Sequence, residues 1–269
     1  MDNEVEPKTA VKPIPVFVIN LDRRDDRMKV MEKRLAGIDF IRVSAVDGRT
    51  IIPSERDQQI LQRAIVPMSI SELACIKSHR KALQRMIEER WPYACVLEDD
   101  VELSPDFINF IKTDHWLPDR FGLIKLETMN HRVWISRSKQ VAGDRDLHEL
   151  RSNHSGCAGY IISLDAAKKM TDLLARPDQA ADNLMFVRAV KSGELGEIFQ
   201  MTPSLCIQEF VCFETHSDSD IEPERENLRS NIRKRPVFQR ILREVKRPFN
   251  RVSEKTRYLS EVHRVVPFE

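Results

Sequence analysis

Three consecutive acidic residues, Glu98-Asp99-Asp100, follow the apolar run of residues 93–97. An apolar strand that ends in acidic residues delivers them to the carboxyl edge of a sheet, where open α/β sheets bind ligands. Adjacent carboxylates repel one another unless a cation lies between them, and Glu98 and Asp100 can point the same way if the chain stays extended. The pattern is typical of a hard divalent ion held partly by substrate phosphates. The alternative is a solvated acidic turn ahead of the next helix.

A second feature is the density of arginine and lysine between residues 222 and 257. Apolar residues interleave with these cations at helical spacing: Val237, Phe238, Ile241, Leu242, Val245 and Phe249. This pattern predicts an amphipathic helix that lies on an anionic membrane surface. A basic helix docked on the domain is the alternative, and nucleic-acid binding is disfavoured because no recognition fold accompanies the segment.

Length and composition limit the class of protein. The chain has 269 residues, of which 41% are hydrophobic and 32% charged, and its formal net charge is +1. These values suit one large α/β domain with an appendage, or two small domains, and give no general argument for a nucleic-acid partner. The polar first twelve residues do not resemble a secretory signal, and no segment approaches the ~20 apolar residues that span a bilayer.

Five cysteines are present, and none forms a Cys-x-x-Cys pair. Their odd number and apolar neighbours predict reduced, buried thiols, with a catalytic or zinc-binding role as the alternative. A chain of this kind is expected in a reducing cytosol.

Strand-like and helix-like segments alternate, which predicts a sheet flanked by helices. The predicted strands are residues 14–21, 40–45, 93–97, 121–127 and 156–163. The predicted helices are residues 22–36, 53–66, 69–89, 107–111, 164–175 and 181–190, with Asp22 and Ser71 as caps of the first and third. Residues 129–153 look irregular and polar. The predicted organisation is a disordered lead-in at 1–13, a catalytic domain at 14–221 and a basic amphipathic helical tail at 222–269.

Several short motifs occur together in a fixed order. Val16-Phe17-Val18-Ile19-Asn20-Leu21, followed by Arg23, Arg24 and Arg27, resembles the opening of glycosyltransferase family 25. The later matches, in the family's order, are Ala45-Val46-Asp47-Gly48, Glu72-Leu73-Ala74-Cys75 with Ser78-His79, Leu97-Glu98-Asp99-Asp100, Leu126-Glu127-Thr128-Met129, Gly156-Cys157-Ala158-Gly159-Tyr160, Asp182, Pro203, Gln208-Glu209 and Val265-Val266-Pro267-Phe268. One departure is Ser71, where the family pattern has Gly before the Glu.

The resemblance implies a GT-A fold, a Rossmann-like mixed sheet flanked by helices, here with a basic helical C-terminal extension. It implies that Glu98 and Asp100 bind a divalent metal, Mn²⁺ or Mg²⁺, on the diphosphate of a nucleotide-sugar donor, a Lewis-acid role. The donor contacts it implies are Asn20, Leu21, Arg23, Arg27, Asp47, Gly48, His79 and Asp99. Five of these residues have a structural alternative: a solvated helix face for the two arginines, a turn for Asp47-Gly48 and a satisfied core histidine for His79.

The position of Asp182 after the Gly-rich strand implies that it is the general base of an inverting enzyme, with helix N-capping as the structural alternative. Glu127 and Glu209 are weaker candidates for the base. The implied reaction moves a hexose, galactose from UDP-galactose, onto a lipopolysaccharide or lipooligosaccharide core at the cytoplasmic face of the membrane. The alternatives are a catalytically silent binding or adhesion protein on the same fold and a metal-dependent nucleotidyltransferase.

Overall fold

The computed structural model describes residues 12–65, 68–213 and 260–269. The strands in these residues are β1 (Val16–Asn20), β2 (Phe40–Ser44), β3 (Tyr93–Glu98), β4 (Val101–Leu103), β5 (Leu123–Lys125), β6 (Glu127–Thr128), β7 (Arg132–Ala142), β8 (Arg145–Leu150), β9 (Gly159–Ser163), β10 (Ile198–Thr202), β11 (Cys206–Gln208) and β12 (Glu261–Val265). The helices are α1 (Asp25–Arg34), α2 (Glu55–Arg63), α3 (Ile70–Glu88), α4 (Phe107–Ile111), α5 (Leu164–Ala175), α6 (Ala181–Asn183), a π-helical turn (Leu184–Arg188), α7 (Ala189–Ser192) and α8 (Glu209–Cys212).

Nine strands form one mixed sheet in the order β12-β7-β8-β10-β5-β9-β3-β1-β2, and β4-β11-β6 form a smaller sheet. Strand β1 lies parallel to both β2 and β3, and β9 runs antiparallel between β3 and β5. All five residues of β1 are buried, as expected of a strand covered on both faces. The expected α/β class, with a large sheet flanked by helices, is confirmed.

The parallel arrangement brings three strand ends together. Ile19 of β1 lies opposite Glu98 of β3, and Asn20 lies opposite Ser44 of β2. The acidic triplet and the polar residues after β1 and β2 therefore share one edge of the sheet.

Helix α3 lies beside this edge, and most of its residues are buried. It begins with a capping box in which the Ser69 hydroxyl accepts from the Glu72 amide and the Glu72 carboxylate accepts from the Ser69 amide. The prediction of Ser71 as the cap was wrong, because Ser71 is already inside the helix. Asp22 does not cap α1 either, since its carboxylate accepts hydrogen bonds from Arg42 and Ser44 and the helix begins at Asp25.

Residues 129–153 are not irregular, as the sequence suggested, but contain the β7–β8 hairpin. Much of β7 is exposed and polar, so the strand lacks the apolar alternation by which strands are recognised. Its turn contains Gly143 at φ +64°, a left-handed conformation that favours glycine.

The prediction of a helical tail over 222–269 was wrong for residues 261–265, which form β12 and pair antiparallel with β7. Val266 follows the strand and is fully buried. Residues 214–259, with the cations of the basic segment (residues 222–257), lie outside the described residues, as do residues 1–11 of the predicted lead-in. Among the described helices, none is both long enough and apolar enough to span a bilayer.

Candidate active site

A cavity of about 410 Å³ opens at the carboxyl ends of β1, β2 and β3. Helix α3, the segment before β9 and helix α6 complete its walls. Nine of the residues predicted for the site line it: Leu21, Arg27, Asp47, Gly48, His79, Glu98, Asp99, Asp100 and Asp182. The structure therefore brings the predicted metal and catalytic residues together with six of the eight predicted donor contacts.

The three carboxylates of the acidic triplet have different partners. Asp99 accepts hydrogen bonds from Asn20 Nδ2 at 2.6 Å and from Arg27 at 3.1 Å. Glu98 Oε2 and Asp100 Oδ1 instead lie 3.4 Å from the same amide nitrogen, Nε2 of Gln208. Asp99 thus holds the strand end in place, while Glu98 and Asp100 converge on a common point.

Like charge is concentrated at this point. Burial and the neighbouring Glu98 raise the pKa of Asp100 to about 7, although Arg27 opposes the shift. Burial also raises the pKa of Asp99, against the hydrogen bonds from Asn20 and Arg27. For Glu98, burial acts in the same direction but is outweighed by the hydrogen bond and charge of His79, so its pKa lies below the ordinary value.

Two predicted donor contacts, Asn20 and Arg23, do not line the cavity. The Asn20 side chain is buried and fully used, because its Nδ2 donates to Asp99 and its Oδ1 accepts from Arg42. Arg23 Nε donates to Asp47 Oδ2 at 2.8 Å. In this structure both hold a cavity residue in place.

Gly48 lies against the start of α3. A Cβ at this position would come within 2.9 Å of Ser71 Cα, so the backbone approach requires glycine here. Close by, the Val46 amide donates to Ser78 Oγ of α3 at 2.8 Å. The departure at Ser71 therefore falls where the loop after β2 touches the helix.

His79 is buried in the cavity floor between two partners. Its Nδ1 lies 3.0 Å from the Tyr160 hydroxyl and its Nε2 lies 3.0 Å from Glu98 Oε1. Cys157 Sγ is 3.4 Å from the same Nε2. Burial lowers the pKa of His79, but Cys157 and Glu98 outweigh burial and raise that pKa to about 10.

Sequence reasoning placed neither Cys75 nor Cys157 in the site. The two thiols, His79 and Glu98 lie with their ligand atoms within 4.8 Å of one another. The one signal in the sequence was the spacing of Cys75 and His79, which puts both on the same face of a helix. Gln208 was also missed as a site residue. The five cysteines, all within the described part of the chain, are thiols; Cys95, Cys157 and Cys206 are buried, as predicted, whereas Cys75 and Cys212 are partly exposed.

Asp182 is the second residue of α6 and faces the segment before β9. Its Oδ2 accepts from the Gly156 amide at 3.2 Å and its Oδ1 from the Asn183 amide at 2.8 Å. The N-cap of α6 is Ala180, so capping does not explain Asp182. Its carboxylate lines the cavity.

The weaker candidates for the base are occupied elsewhere. Glu127 is fully buried, and its Oε2 accepts from Lys125 Nζ at 2.9 Å and from the Ala158 amide at 3.1 Å. Glu209 forms an ion pair with Arg34 at 2.7 Å. Neither side chain lines the cavity.

The residues present fit a divalent metal. Glu98 Oε2 and Asp100 Oδ1 are close enough to accept from one donor, Gln208 Nε2, and oxygen atoms are the ligands that Mg²⁺ and similar hard ions prefer. Burial first, and then the charge of Glu98, raise the pKa of Asp100, and a bound cation would favour the ionised carboxylate against both effects. Glu98 and Asp100 are the residues that would hold the ion.

Comparison with known proteins gives consistent matches. The sequence profile of glycosyltransferase family 25, described as LPS biosynthesis protein, matches residues 13–185. The lacto-N-neotetraose biosynthesis glycosyltransferase LgtE of Neisseria gonorrhoeae is 32% identical over 209 residues, which cover 70% of this chain and 74% of that relative. The lipooligosaccharide biosynthesis protein lic2B of Haemophilus influenzae is 28% identical over 266 residues, which cover 94% of this chain and 98% of the relative.

Among solved structures, a glycosyltransferase involved in the glycosylation of the major capsid of PBCV-1 matches 81% of this chain and 99% of its own, with a TM-score of 0.44 and 8% identity. The family profile and the sequence relatives, on a mixed α/β sheet with an acidic cavity at its strand ends, define a glycosyltransferase. The chain belongs to glycosyltransferase family 25, whose profile covers more than half of its length.

Proposed function

We propose that this chain is an inverting GT-A glycosyltransferase that moves galactose from UDP-galactose onto the saccharide core of a lipooligosaccharide. The names of its relatives, LgtE and lic2B, support an acceptor of this class. The placement of the acidic triplet at the carboxyl end of a parallel strand supports the GT-A assignment.

The observation that carries the proposal is the charge of the cavity. Six carboxylates line it, those of Asp47, Glu72, Glu98, Asp99, Asp100 and Asp182, against two guanidinium groups, those of Arg27 and Arg49, and the His79 imidazole, whose pKa is raised to about 10. A nucleotide diphosphate is itself an anion, so a cation between it and these carboxylates would favour its binding. A divalent ion on Glu98 and Asp100 would supply Lewis-acid stabilisation of the departing diphosphate.

The chain's own residues then have separate tasks. Arg27 Nη1 lies 3.1 Å from Asp99 Oδ1 and 3.7 Å from Asp100 Oδ2. These two ion pairs hold its guanidinium group beside the proposed diphosphate position. Leu21, Asp47 and Gly48 line the part of the cavity after β1 and β2, where the nucleoside would bind.

Asp182, in α6, acts as the general base. It takes the proton of the acceptor hydroxyl as that oxygen attacks the anomeric carbon, and the bond from that carbon to the diphosphate breaks in the same displacement. Two backbone amides hold its carboxylate in one orientation. A single direct displacement inverts the anomeric centre.

The test measures transfer with a panel of nucleotide sugars and truncated lipooligosaccharide acceptors, with and without Mn²⁺. We expect UDP release that requires UDP-galactose, acceptor and metal. Asp182→Asn should lower turnover by roughly two orders of magnitude or more with donor affinity nearly unchanged. Asp100→Asn should abolish metal-dependent transfer, whereas Asp165→Asn, on an 89% exposed side chain, is the matched control.

Other results would redirect the proposal. Release of pyrophosphate would identify a nucleotidyltransferase. Full activity in excess EDTA would remove the metal from the mechanism, and a collapse of donor binding in Asp182→Asn with normal turnover would make Asp182 a binding residue.

We also propose that the enzyme works at the cytoplasmic face of the membrane, held there by its basic segment. The composition of that segment supports this, at about 1 kcal/mol for each Arg or Lys near an anionic surface. Truncation is an unsuitable test, because residues 261–265 belong to the main sheet. A variant with several arginines of the segment changed to glutamine should lose sedimentation with anionic vesicles; unchanged sedimentation would contradict the proposal.

A further inference from the structure

We propose that the cavity floor also binds a zinc ion, through Cys75 Sγ, Cys157 Sγ, His79 Nε2 and Glu98 Oε1. This site shares Glu98 with the proposed hard-metal position on Glu98 and Asp100, but it uses the other oxygen of that carboxylate, and it takes no part in the proposed reaction. Three segments that are distant in sequence supply its ligands: α3, the end of β3 and the segment before β9.

The first support is the ligand set. Two thiols and an imidazole are soft or borderline ligands, which favour zinc over magnesium or calcium. A set of two cysteines, one histidine and one carboxylate uses only zinc-binding atom types and reaches the usual coordination number of four.

The second support is geometry. Zinc bonds of about 2.3 Å to sulfur and 2.0–2.1 Å to nitrogen or oxygen imply ligand–ligand separations of roughly 3.3–3.8 Å in a tetrahedron. Glu98 Oε1 lies 3.0 Å from His79 Nε2, 3.8 Å from Cys157 Sγ and 3.9 Å from Cys75 Sγ. Cys157 Sγ lies 3.4 Å from His79 Nε2. All four atoms lie within 4.8 Å of one another, so only small movements would close the tetrahedron.

The third support is the group behind the histidine. Ligating histidines almost always use their second ring nitrogen in a hydrogen bond that fixes the ring. His79 Nδ1 lies 3.0 Å from the hydroxyl of fully buried Tyr160, so that Nε2 is the nitrogen turned toward the thiols.

Access and charge are also suitable. Cys75 and Glu98 are partly exposed to the cavity, so an ion can enter from solvent, while His79 and Cys157 are buried. Binding would convert both thiols to thiolates and His79 to its neutral form, and it would release three protons to solvent, one from each thiol and one from His79 Nε2. Glu98 would then use Oε1 for zinc and Oε2 toward Gln208 and Asp100, so the zinc ion would also fix the orientation of that carboxylate.

The experiment uses the full chain, reduced, freed of metal and kept without oxygen, and titrates it with Co²⁺ as a spectroscopic substitute for zinc. We expect saturation at one equivalent, a thiolate-to-cobalt charge-transfer band, the visible bands of tetrahedral cobalt, and loss of both on addition of Zn²⁺. Protein expressed with added zinc should carry about one zinc per chain. Absence of the charge-transfer band in the wild-type protein would overturn the proposal without any variant.

Variants locate the site. Cys75→Ser and Cys157→Ser should each weaken the band, and together they should remove it, whereas Cys212→Ser, a half-buried thiol outside the cluster, should leave it unchanged. Tyr160→Phe should weaken affinity about 10- to 100-fold. A band that survives in the double cysteine variant places the ion elsewhere and refutes the assignment.

One further variant separates this proposal from the proposed function. Asp100→Asn should abolish metal-dependent transfer and keep the cobalt spectrum. Loss of the spectrum in that variant would mean that a single ion serves both sets of residues, and the separate zinc site would be wrong. Inactivity of the wild-type enzyme with a normal cobalt spectrum would count against the proposed function alone.

Discussion

Lys125 is fully buried, and we expect Lys125→Met to be strongly destabilising. Its ammonium donates to Glu127 Oε2 at 2.9 Å and to the Gly156 carbonyl at 2.6 Å, and it lies 4.1 Å from the centre of the Phe186 ring. Methionine keeps most of the length and apolar surface of the side chain. The substitution therefore removes the charge and its two hydrogen bonds with little change in packing.

The magnitude follows from what remains behind. Glu127 would be a buried carboxylate whose Oε1 has no hydrogen-bond partner among the described residues. Breaking a buried ion pair in this way costs about 3–5 kcal/mol. For a domain of this size that corresponds to a fall in Tm of about 6–20 °C, since each kcal/mol is worth about 2–4 °C.

The loss should depend on pH. Burial already raises the pKa of Glu127, against the charge of Lys125, and removal of that charge should raise the pKa further. A carboxyl whose pKa is higher in the folded state favours folding when protonated, so its contribution disappears as the pH rises through the folded-state pKa. The difference in the free energy of unfolding between the variant and the wild type should therefore be smallest at low pH and largest at neutral pH. It should grow by about 1.4 kcal/mol for each unit by which the substitution raises the pKa of Glu127.

The assay is denaturant and thermal unfolding of three variants across pH. Lys125→Met/Glu127→Gln should recover most of the loss, because no uncompensated charge stays buried. Lys139→Met breaks an exposed pair with Asp146, at 2.7 Å, and should cost less than about 1 kcal/mol. If Lys125→Met costs no more than Lys139→Met, or the double variant is as unstable as the single one, the reasoning is refuted.

Three further predictions concern stability and are measured by the same unfolding experiments. Burial raises the pKa of Asp57, but the contacts with Lys77 and Ser54 outweigh it and lower that pKa. Asp57→Asn should therefore lower the free energy of unfolding by about 1 kcal/mol at neutral pH, and the loss should vanish once the pH falls below the folded-state pKa. Gly156→Ala should cost about 1–3 kcal/mol more than Gly193→Ala, since both have positive φ but only the Gly156 Cβ would meet Glu127 Oε1, at 2.5 Å. Val266→Ala should lower the free energy of unfolding by about 2 kcal/mol, because Val266 is fully buried. Val265→Ala, at an exposed position, should lower it by less than about 0.5 kcal/mol. Equal losses would contradict the packing of the C-terminus against the domain.

The central part of the fold could be predicted from the sequence because its signals are local. Strand β1 is an uninterrupted apolar run, α3 shows helical periodicity, and α5 occupies the predicted residues 164–175. The β7–β8 hairpin and β12 could not be predicted in this way. Their strands are largely polar or exposed, and they are strands because they pair with one another and, through β8, with β10 of the main sheet.

The candidate site, like the fold, combines residues that local sequence signals could predict with residues whose roles depend on tertiary contacts. The acidic triplet alone is a short and common pattern, and it was recognisable as a site because it stands in an ordered series of family motifs; the strand end places it at the cavity. The separate role of Asp99 was not predictable, because it depends on contacts with Asn20 and Arg27. Cys157 meets Cys75 only through the antiparallel insertion of β9 between β3 and β5, which is a property of the sheet topology.

The proposed base is connected to the end of the chain by an unbroken series of contacts. The Val266 carbonyl accepts from Thr128 Oγ1 at 2.7 Å, and Thr128 adjoins Glu127 in β6. Glu127 is ion-paired with the ammonium that holds the Gly156 carbonyl, and the Gly156 amide donates to Asp182. Loss of the last ten residues would therefore disturb the support of Asp182 as well as remove β12. Inactivity of a C-terminally truncated enzyme would follow from this arrangement alone, and it would carry no information about membrane binding.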